Sequence, residues 1–140
     1  MALEDIKQNI DRDIREPLLS VCRALVDRLT TMKPNQLQRL TYMLLADFVQ
    51  RQPDDDVFQA ALTALTMIKH HPLTMYFVFY DADEDREISI SVKEAMQSAD
   101  EALFIHPRTG EAVADFEKQL KPVFRASKEL VAALQDDHGG

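Results

Sequence analysis

Apolar positions in the first half of the chain recur with the 3.6-residue period of amphipathic helices. The clearest face consists of Leu18, Cys22, Leu25, Val26 and Leu29. Pro17 suits the first turn of this helix, where its missing N–H costs no hydrogen bond. An earlier helix is predicted over residues 3–15, because the residue before a proline disfavours the helical region. The alternative is that the two segments form a single kinked helix.

Two further helices are predicted before residue 70. The third begins at a capping box, in which Asn35 is followed three residues later by Gln38. Its apolar face consists of Leu37, Leu40, Leu44 and Phe48. The fourth begins after Pro53 at three aspartates, residues 54–56, whose carboxylates suit the positive end of a helix dipole. Its buried face consists of Phe58, Ala61, Leu62, Leu65 and Ile68.

The pattern after Pro72 changes to that of β-strands. Residues 74–80 and 87–90 are rich in aromatic and β-branched side chains, which predicts two strands of a hairpin. The connection from Asp81 to Arg86 is acidic and lacks the Asn-Gly or Asp-Gly pair of a two-residue turn. We therefore expect a long, charged hairpin tip.

Short elements are predicted after the hairpin. Ser91 and Glu94 form a capping box for a helix over residues 92–99. Residues 102–105 have the composition of a short third strand. The segment from His106 to Glu111 is expected to form a turn.

The C-terminal segment is predicted to be helical. Asp115 caps one helix, which Pro122 interrupts, and Ser127 caps the last one. Residues 136–140 are expected to form a flexible acidic tail. The predicted organisation is a single domain over residues 1–135.

The order of these elements predicts a helix-rich α+β fold. Three or four N-terminal helices precede a β-hairpin, a short helix, a short strand and C-terminal helices. This order resembles a winged-helix arrangement in architecture, without any family motif to support it.

Composition is ordinary for a globular chain and argues against a membrane protein. The 140 residues are 46% hydrophobic and 29% charged. No apolar run approaches the roughly 18 residues that a membrane helix needs. The N-terminus lacks the apolar segment of a secretory signal, and the lone Cys22 cannot form an internal disulfide. These features predict a cytoplasmic protein.

Acidic residues are concentrated in the second part of the chain. Residues 1–52 hold 8 basic and 7 acidic residues, whereas residues 53–140 hold 8 basic and 17 acidic. Such a surface repels nucleic-acid phosphates and anionic membranes. It suits a basic protein partner, or it serves only to keep the chain soluble. Five arginines, Arg12, Arg15, Arg23, Arg28 and Arg39, offer the alternative of a nucleic-acid-binding surface, although acidic residues lie between them.

The acidic turn partly matches a calcium loop. Asp81, Asp83 and Asp85 occupy the first three ligand positions of an EF-hand pattern. Arg86 stands where that loop requires glycine, and Val92 stands where it requires glutamate. A hairpin is the better interpretation, with weak divalent-cation binding by the three aspartates as an alternative.

Catalytic and cofactor motifs are absent from the sequence. Glycines at 110, 139 and 140 cannot build a phosphate-binding loop. His70 and His71 are adjacent and suit a helix end, and His106 has no serine or cysteine nucleophile near it in sequence. We therefore predict a non-enzymatic protein without a cofactor.

The predicted function is that of a protein–protein interaction module, such as a regulator, an adaptor or a small subunit of a larger assembly. Apolar side chains on both faces of the first strand require cover from another element or another chain. The predicted partner-binding residues are Tyr76, Phe79, Asp81, Asp83, Glu84 and Asp85. The alternatives are a winged-helix nucleic-acid-binding regulator and a cation-binding protein. The sequence is compatible with a homo-oligomer.

Overall fold

A computed structural model describes residues 2–139 of the chain, with backbone alone for residues 137–139. The chain forms two compact units. One contains the residues up to Thr74 together with those from Phe124 onward, and the other contains residues 75–123.

The fold is helix-rich α+β, as the sequence predicts. The helices are α1 (Leu3–Asp13), α2 (Leu18–Leu29), a 3-10 helix (Pro34–Leu37), α3 (Tyr42–Phe48), α4 (Asp56–Met67), α5 (Val92–Glu101), α6 (Phe116–Gln119) and α7 (Lys128–Gly139). The strands are β1 (Leu73–Asp81), β2 (Arg86–Ile90) and β3 (Leu120–Ala126), in the order β2-β1-β3. In the described residues no helix has the length and apolar character needed to cross a membrane.

In the first unit α2 packs against α4. The fully buried side chains of Leu25 and Leu29 in α2 and of Phe58 and Leu65 in α4 belong to this core. Cys22 lies among them, and its Sγ is 3.6 Å from the carbonyl oxygen of Ala61. Burial raises the pKa of the Cys22 thiol to about 12, so the thiol stays protonated at neutral pH.

The predicted third helix is wrong, because the chain breaks it into two pieces. The 3-10 helix ends at Leu37, and α3 begins only after Thr41, whose hydroxyl accepts the N–H of Leu44 at 3.2 Å. Between them, Leu40 exchanges two backbone hydrogen bonds with Phe124, at 2.7 and 2.8 Å. These long-range bonds use backbone groups of Leu40 that a continuous helix would need.

The fourth helix is confirmed with its predicted cap. The carboxylate of Asp55 accepts the N–H of Phe58 at 2.8 Å, which satisfies one of the free donors at the start of α4. The last helix, α7, also follows its predicted cap, since the hydroxyl of Ser127 accepts the N–H of Leu130 at 3.1 Å.

The predicted tail over residues 136–140 stays a prediction. The backbone of α7 continues through Gly139, and Gly140 lies outside the described residues.

The hairpin of the second unit is confirmed. Antiparallel pairing runs from Phe77 opposite Ile90 to Asp81 opposite Arg86. One face of this hairpin buries Phe79 and Ile90 against Ala95, Phe104 and Phe116. The helix after β2 is α5, which begins as predicted at Ser91, whose hydroxyl accepts the N–H of Glu94 at 3.1 Å.

The third strand is not where the sequence predicts it. Residues 102–105 form no strand, and Ile105 makes only an isolated bridge to Ala112. The third strand is β3, in a segment predicted to be helical, and α6 is limited to four residues. The sequence predicts that Pro122 interrupts a helix, yet a proline is also tolerated in an edge strand, and β3 lies at the edge of the sheet.

Candidate functional site

A buried hydrogen bond between Asp81 and His106 organises the hairpin tip. Asp81 ends β1, and His106 lies 25 residues later, in the turn after α5. The Oδ2 atom of Asp81 is 2.9 Å from Nε2 of His106, and both side chains are buried. The second ring nitrogen of His106, Nδ1, accepts the N–H groups of Arg108 and Thr109 at 3.1 and 3.3 Å. The proton of the neutral ring therefore lies on Nε2 and is donated to Asp81.

The carboxylate of Asp81 also holds the backbone of the tip. Its Oδ1 atom accepts the N–H groups of Asp83 and Glu84 at 3.1 and 3.4 Å. Burial raises the pKa of Asp81, but the hydrogen bonds from His106 and from the backbone of Glu84 and Asp83 outweigh it and leave the pKa below its usual value. Asp81 is therefore a charged structural group at neutral pH.

A second contact joins the same two segments at the surface. Arg108 Nη1 lies 3.3 Å from a carboxylate oxygen of Glu84, and both side chains are about half exposed. The turn that carries Arg108 is closed by two backbone bonds, from His106 N–H to Glu111 and from Gly110 N–H to His106. Gly110 adopts a φ of 74°, which glycine reaches without strain. We call the contacts among Asp81, Glu84, His106 and Arg108 the tip clamp.

The hairpin also presents an exposed acidic surface, which shares Glu84 with the tip clamp. Asp83, Glu84 and Asp85 are all exposed and consecutive. Tyr80 beside them is 46% exposed, and its hydroxyl donates to the carboxylate of Asp85. This hydrogen bond is the main reason that the pKa of Tyr80 is raised. We call Tyr80 with these three carboxylates the acidic tip.

The predicted partner-binding residues therefore divide into two groups. Asp83, Glu84 and Asp85 are at the surface, whereas Tyr76, Phe79 and Asp81 are buried. The ring of Phe79 lies 5.1 Å from that of Phe104 and 5.5 Å from that of His106. On the opposite face of β1, Tyr76 is buried in a cluster with Val78 and Val123. Residues of the same chain thus cover both faces of this strand.

His106, Arg108 and Tyr80 are site residues that the sequence did not single out. The turn around His106 is predictable from its proline and glycine, but nothing in the sequence connects His106 with Asp81. Tyr80 belongs to the predicted strand, and its exposure depends on which face of β1 the core covers.

The three aspartates of the calcium-loop pattern do not share one site. The segment before Asp81 is β1, whereas an EF-hand requires a helix there. Asp81 is bonded to His106, and Asp85 accepts from Tyr80. Over residues 2–136 no group of three or more Asp, Glu, His or Cys side chains is placed to hold a metal ion.

The buried pair of Asp81 and His106 resembles part of a catalytic triad but lacks a free base. A cavity of about 300 Å³ lies beside it and is lined also by Thr109, Glu111 and Gln119. A histidine that acts as a general base needs a free ring nitrogen within reach of the substrate proton. Both ring nitrogens of His106 already have protein partners, so this pair is suited to holding two segments together.

Several of the N-terminal arginines are already engaged. Arg12 is 3.0 Å from Asp13, and Arg23 is 2.6 Å from Asp11. The guanidinium of Arg28 lies over the ring of Phe48, at 5.1 Å from its centre. The two carboxylate contacts reduce the positive charge that this surface offers to phosphates.

Comparison of the chain with models of protein families, with curated proteins and with solved structures found no match.

Proposed function

We propose that this protein is a non-enzymatic interaction module whose acidic tip binds a basic segment of a protein partner. The observation that carries the proposal is the exposure of three consecutive carboxylates, Asp83, Glu84 and Asp85, on a backbone held by the buried Asp81. A prearranged loop binds with a smaller loss of conformational entropy than a mobile one.

The composition of the acidic tip suits lysine and arginine side chains. Carboxylates form charge-assisted hydrogen bonds with guanidinium and ammonium groups. The exposed ring of Tyr80 offers a face on which a cation can rest. Residues 75–123, which include this tip, hold 11 acidic and 5 basic residues, a net charge of −6. Long-range attraction would therefore speed the approach of a basic partner.

Binding of this kind supports the role of a regulator, an adaptor or a small subunit of a larger assembly. The proposal places the protein in the cytoplasm, because its single cysteine is a buried free thiol and therefore suits a reducing compartment. The use of both His106 nitrogens inside the tip clamp favours a structural over a catalytic role for this histidine.

The test compares three forms of the tagged protein as baits in native lysate, with and without nuclease. The first is the unchanged chain, and the second carries Asp83→Lys and Asp85→Lys. The third carries Asp47→Lys and Asp54→Lys. These substitutions change the net charge by the same amount as the second pair does, at exposed positions that precede the hairpin in sequence.

A stoichiometric protein that resists nuclease, is lost from the Asp83/Asp85 bait and is kept by the control bait would support the proposal. Equal recovery by all three baits, or recovery of nuclease-sensitive material alone, would contradict it.

A further inference from the structure

A cavity of about 570 Å³ lies in the first unit, against one face of α7. This face lines the cavity at the spacing of successive helical turns, with Lys128, Val131, Ala132 and Gln135. Small-molecule sites in proteins have volumes of roughly 300–1,000 Å³ and combine apolar walls with a few polar groups. The cavity therefore has the size of a site for a small organic molecule.

One backbone hydrogen bond brings a second wall of the cavity to the start of α7. The N–H of Ser127 donates to the carbonyl oxygen of Pro72 at 2.8 Å. His71 and Thr74, which lie on either side of Pro72 in sequence, also line the cavity and are half-buried. Contact between distant segments thus places one imidazole and two hydroxyl groups around the same space.

These polar groups are not used up inside the protein. Ser127 is only 6% exposed, and its oxygen accepts the N–H of Leu130. Within residues 2–136, the hydroxyl proton of Ser127 has no acceptor, and the half-buried side chains of His71 and Thr74 make no hydrogen bond. A buried polar group without a protein partner costs stability unless water or a ligand pairs with it. The cavity therefore offers hydrogen-bond donors to a ligand rich in acceptors.

The charge of the cavity differs in sign from that of the whole chain. The chain has a net charge of −8, yet two cationic side chains, Arg125 and Lys128, line the cavity together with the single carboxylate of Glu129. That carboxylate is already engaged, since its Oε2 atom lies 2.8 Å from Nδ1 of His70. The first turn of α7 adds the positive end of a helix dipole. The cavity is therefore suited to an anion.

We propose that this cavity binds a small organic oxyanion, either a carboxylate or a phosphate ester. Lys128 and the hydroxyl groups of Thr74 and Ser127 hold its oxygens by hydrogen bonds, which are strengthened by the negative charge of the ligand. The apolar part of the ligand lies against Val131 and Ala132. Because the acidic tip belongs to the second unit, this site is independent of the proposed function.

The test follows binding to the isotope-labelled full chain by NMR. The probes are phenylacetate, phenyl phosphate, the neutral phenylacetamide and inorganic phosphate. At least one organic anion should bind with a Kd below about 1 mM and shift the backbone signals of Thr74 and Ser127. Phenylacetamide lacks the charge, and inorganic phosphate lacks the apolar part. Each of these two should bind at least about tenfold more weakly than the better organic anion.

Two substitutions test the residues that hold the oxygens. Thr74→Val removes a hydroxyl without a partner in the described residues, and Lys128→Gln removes an exposed charge. Each should weaken binding of the organic anion about fivefold. Lys33→Gln is the matched control, because it removes the same charge from an exposed residue of the first unit that does not line the cavity. Melting temperatures establish that the variants are folded.

Binding by phenylacetate alone or by phenyl phosphate alone would support the inference and identify the natural ligand as a carboxylate or a phosphate ester. Equal affinity for inorganic phosphate would mean an adventitious ion only, and equal affinity for phenylacetamide would mean an apolar site without selection for charge. Either result would overturn the inference. A Kd above about 1 mM for both organic anions, or an affinity that Thr74→Val or Lys128→Gln leaves unchanged, would also overturn it.

Discussion

Asp81 and His106 meet through Oδ2 and Nε2 at 2.9 Å, and each side chain also holds the backbone of its own loop. The carboxylate binds two N–H groups of the hairpin tip, and the imidazole binds two N–H groups of the following turn. The pair thus holds together two loops that lie apart in sequence.

Loss of the imidazole should loosen the hairpin tip as well as the turn. His106→Ala leaves the buried Asp81 without its side-chain donor. Hydrogen exchange at the backbone N–H groups of Asp83 and Glu84 should become several-fold faster, although these groups donate to Asp81 and not to His106. Residue-resolved exchange measurements check this, with His70→Ala as the control. Unchanged exchange at Asp83 and Glu84 would show that the two loops are independent.

Acid should remove the contribution of Asp81 to stability. The folded state holds the pKa of this carboxyl below its ordinary value of 3.8, so the folded state favours the charged form. The stabilisation is fully present above the unfolded pKa and is lost as pH falls through the lower, folded pKa.

The measurement is the melting temperature of the unchanged protein and of Asp81→Asn between pH 2 and 7. Their difference should be constant above about pH 5 and should shrink below about pH 4. A difference that instead grows on acidification would contradict the assigned direction of the pKa shift.

The side chain of Phe124, whose backbone pairs with Leu40, should be important for the stability of the first unit. The ring of Phe124 is buried and meets that of Tyr42 edge to face at 5.1 Å. Phe124→Ala should lower the free energy of unfolding by about 3–5 kcal/mol, because it leaves a cavity in this core. Urea unfolding measures the change. The exposed Met43→Ala on α3 serves as the control and should cost less than about 0.5 kcal/mol.

Cys22 should be unreactive until the protein unfolds. Its thiol is fully buried, and burial raises its pKa to about 12, so little thiolate forms at pH 8. Treatment with an aromatic disulfide reagent should label the native protein at least about a hundredfold more slowly than the urea-unfolded chain. Rapid labelling without denaturant would mean that α2 opens readily from α4.

Local patterns were sufficient for most of the helices and for the hairpin. The apolar spacing that begins at Leu18 predicts α2, and the caps at Asp55, Ser91 and Ser127 begin helices where predicted. Each of these signals acts over a few residues, since a cap satisfies a free N–H only two or three positions away. The acidic character of the hairpin tip was also predictable, because it follows directly from the residues at 81–85.

Long-range pairing decided the remaining elements. The break at Leu40 depends on hydrogen bonds to Phe124, and β3 forms at the edge of a sheet whose other strands lie far earlier in the chain. The partnership of Asp81 with His106 arises only when the fold brings together segments 25 residues apart. Local sequence determined which segments had helical or strand character and where charge accumulates. Tertiary structure alone decided which backbone groups pair, which side chains become buried and which carboxylates remain at the surface, because these depend on contacts between distant residues.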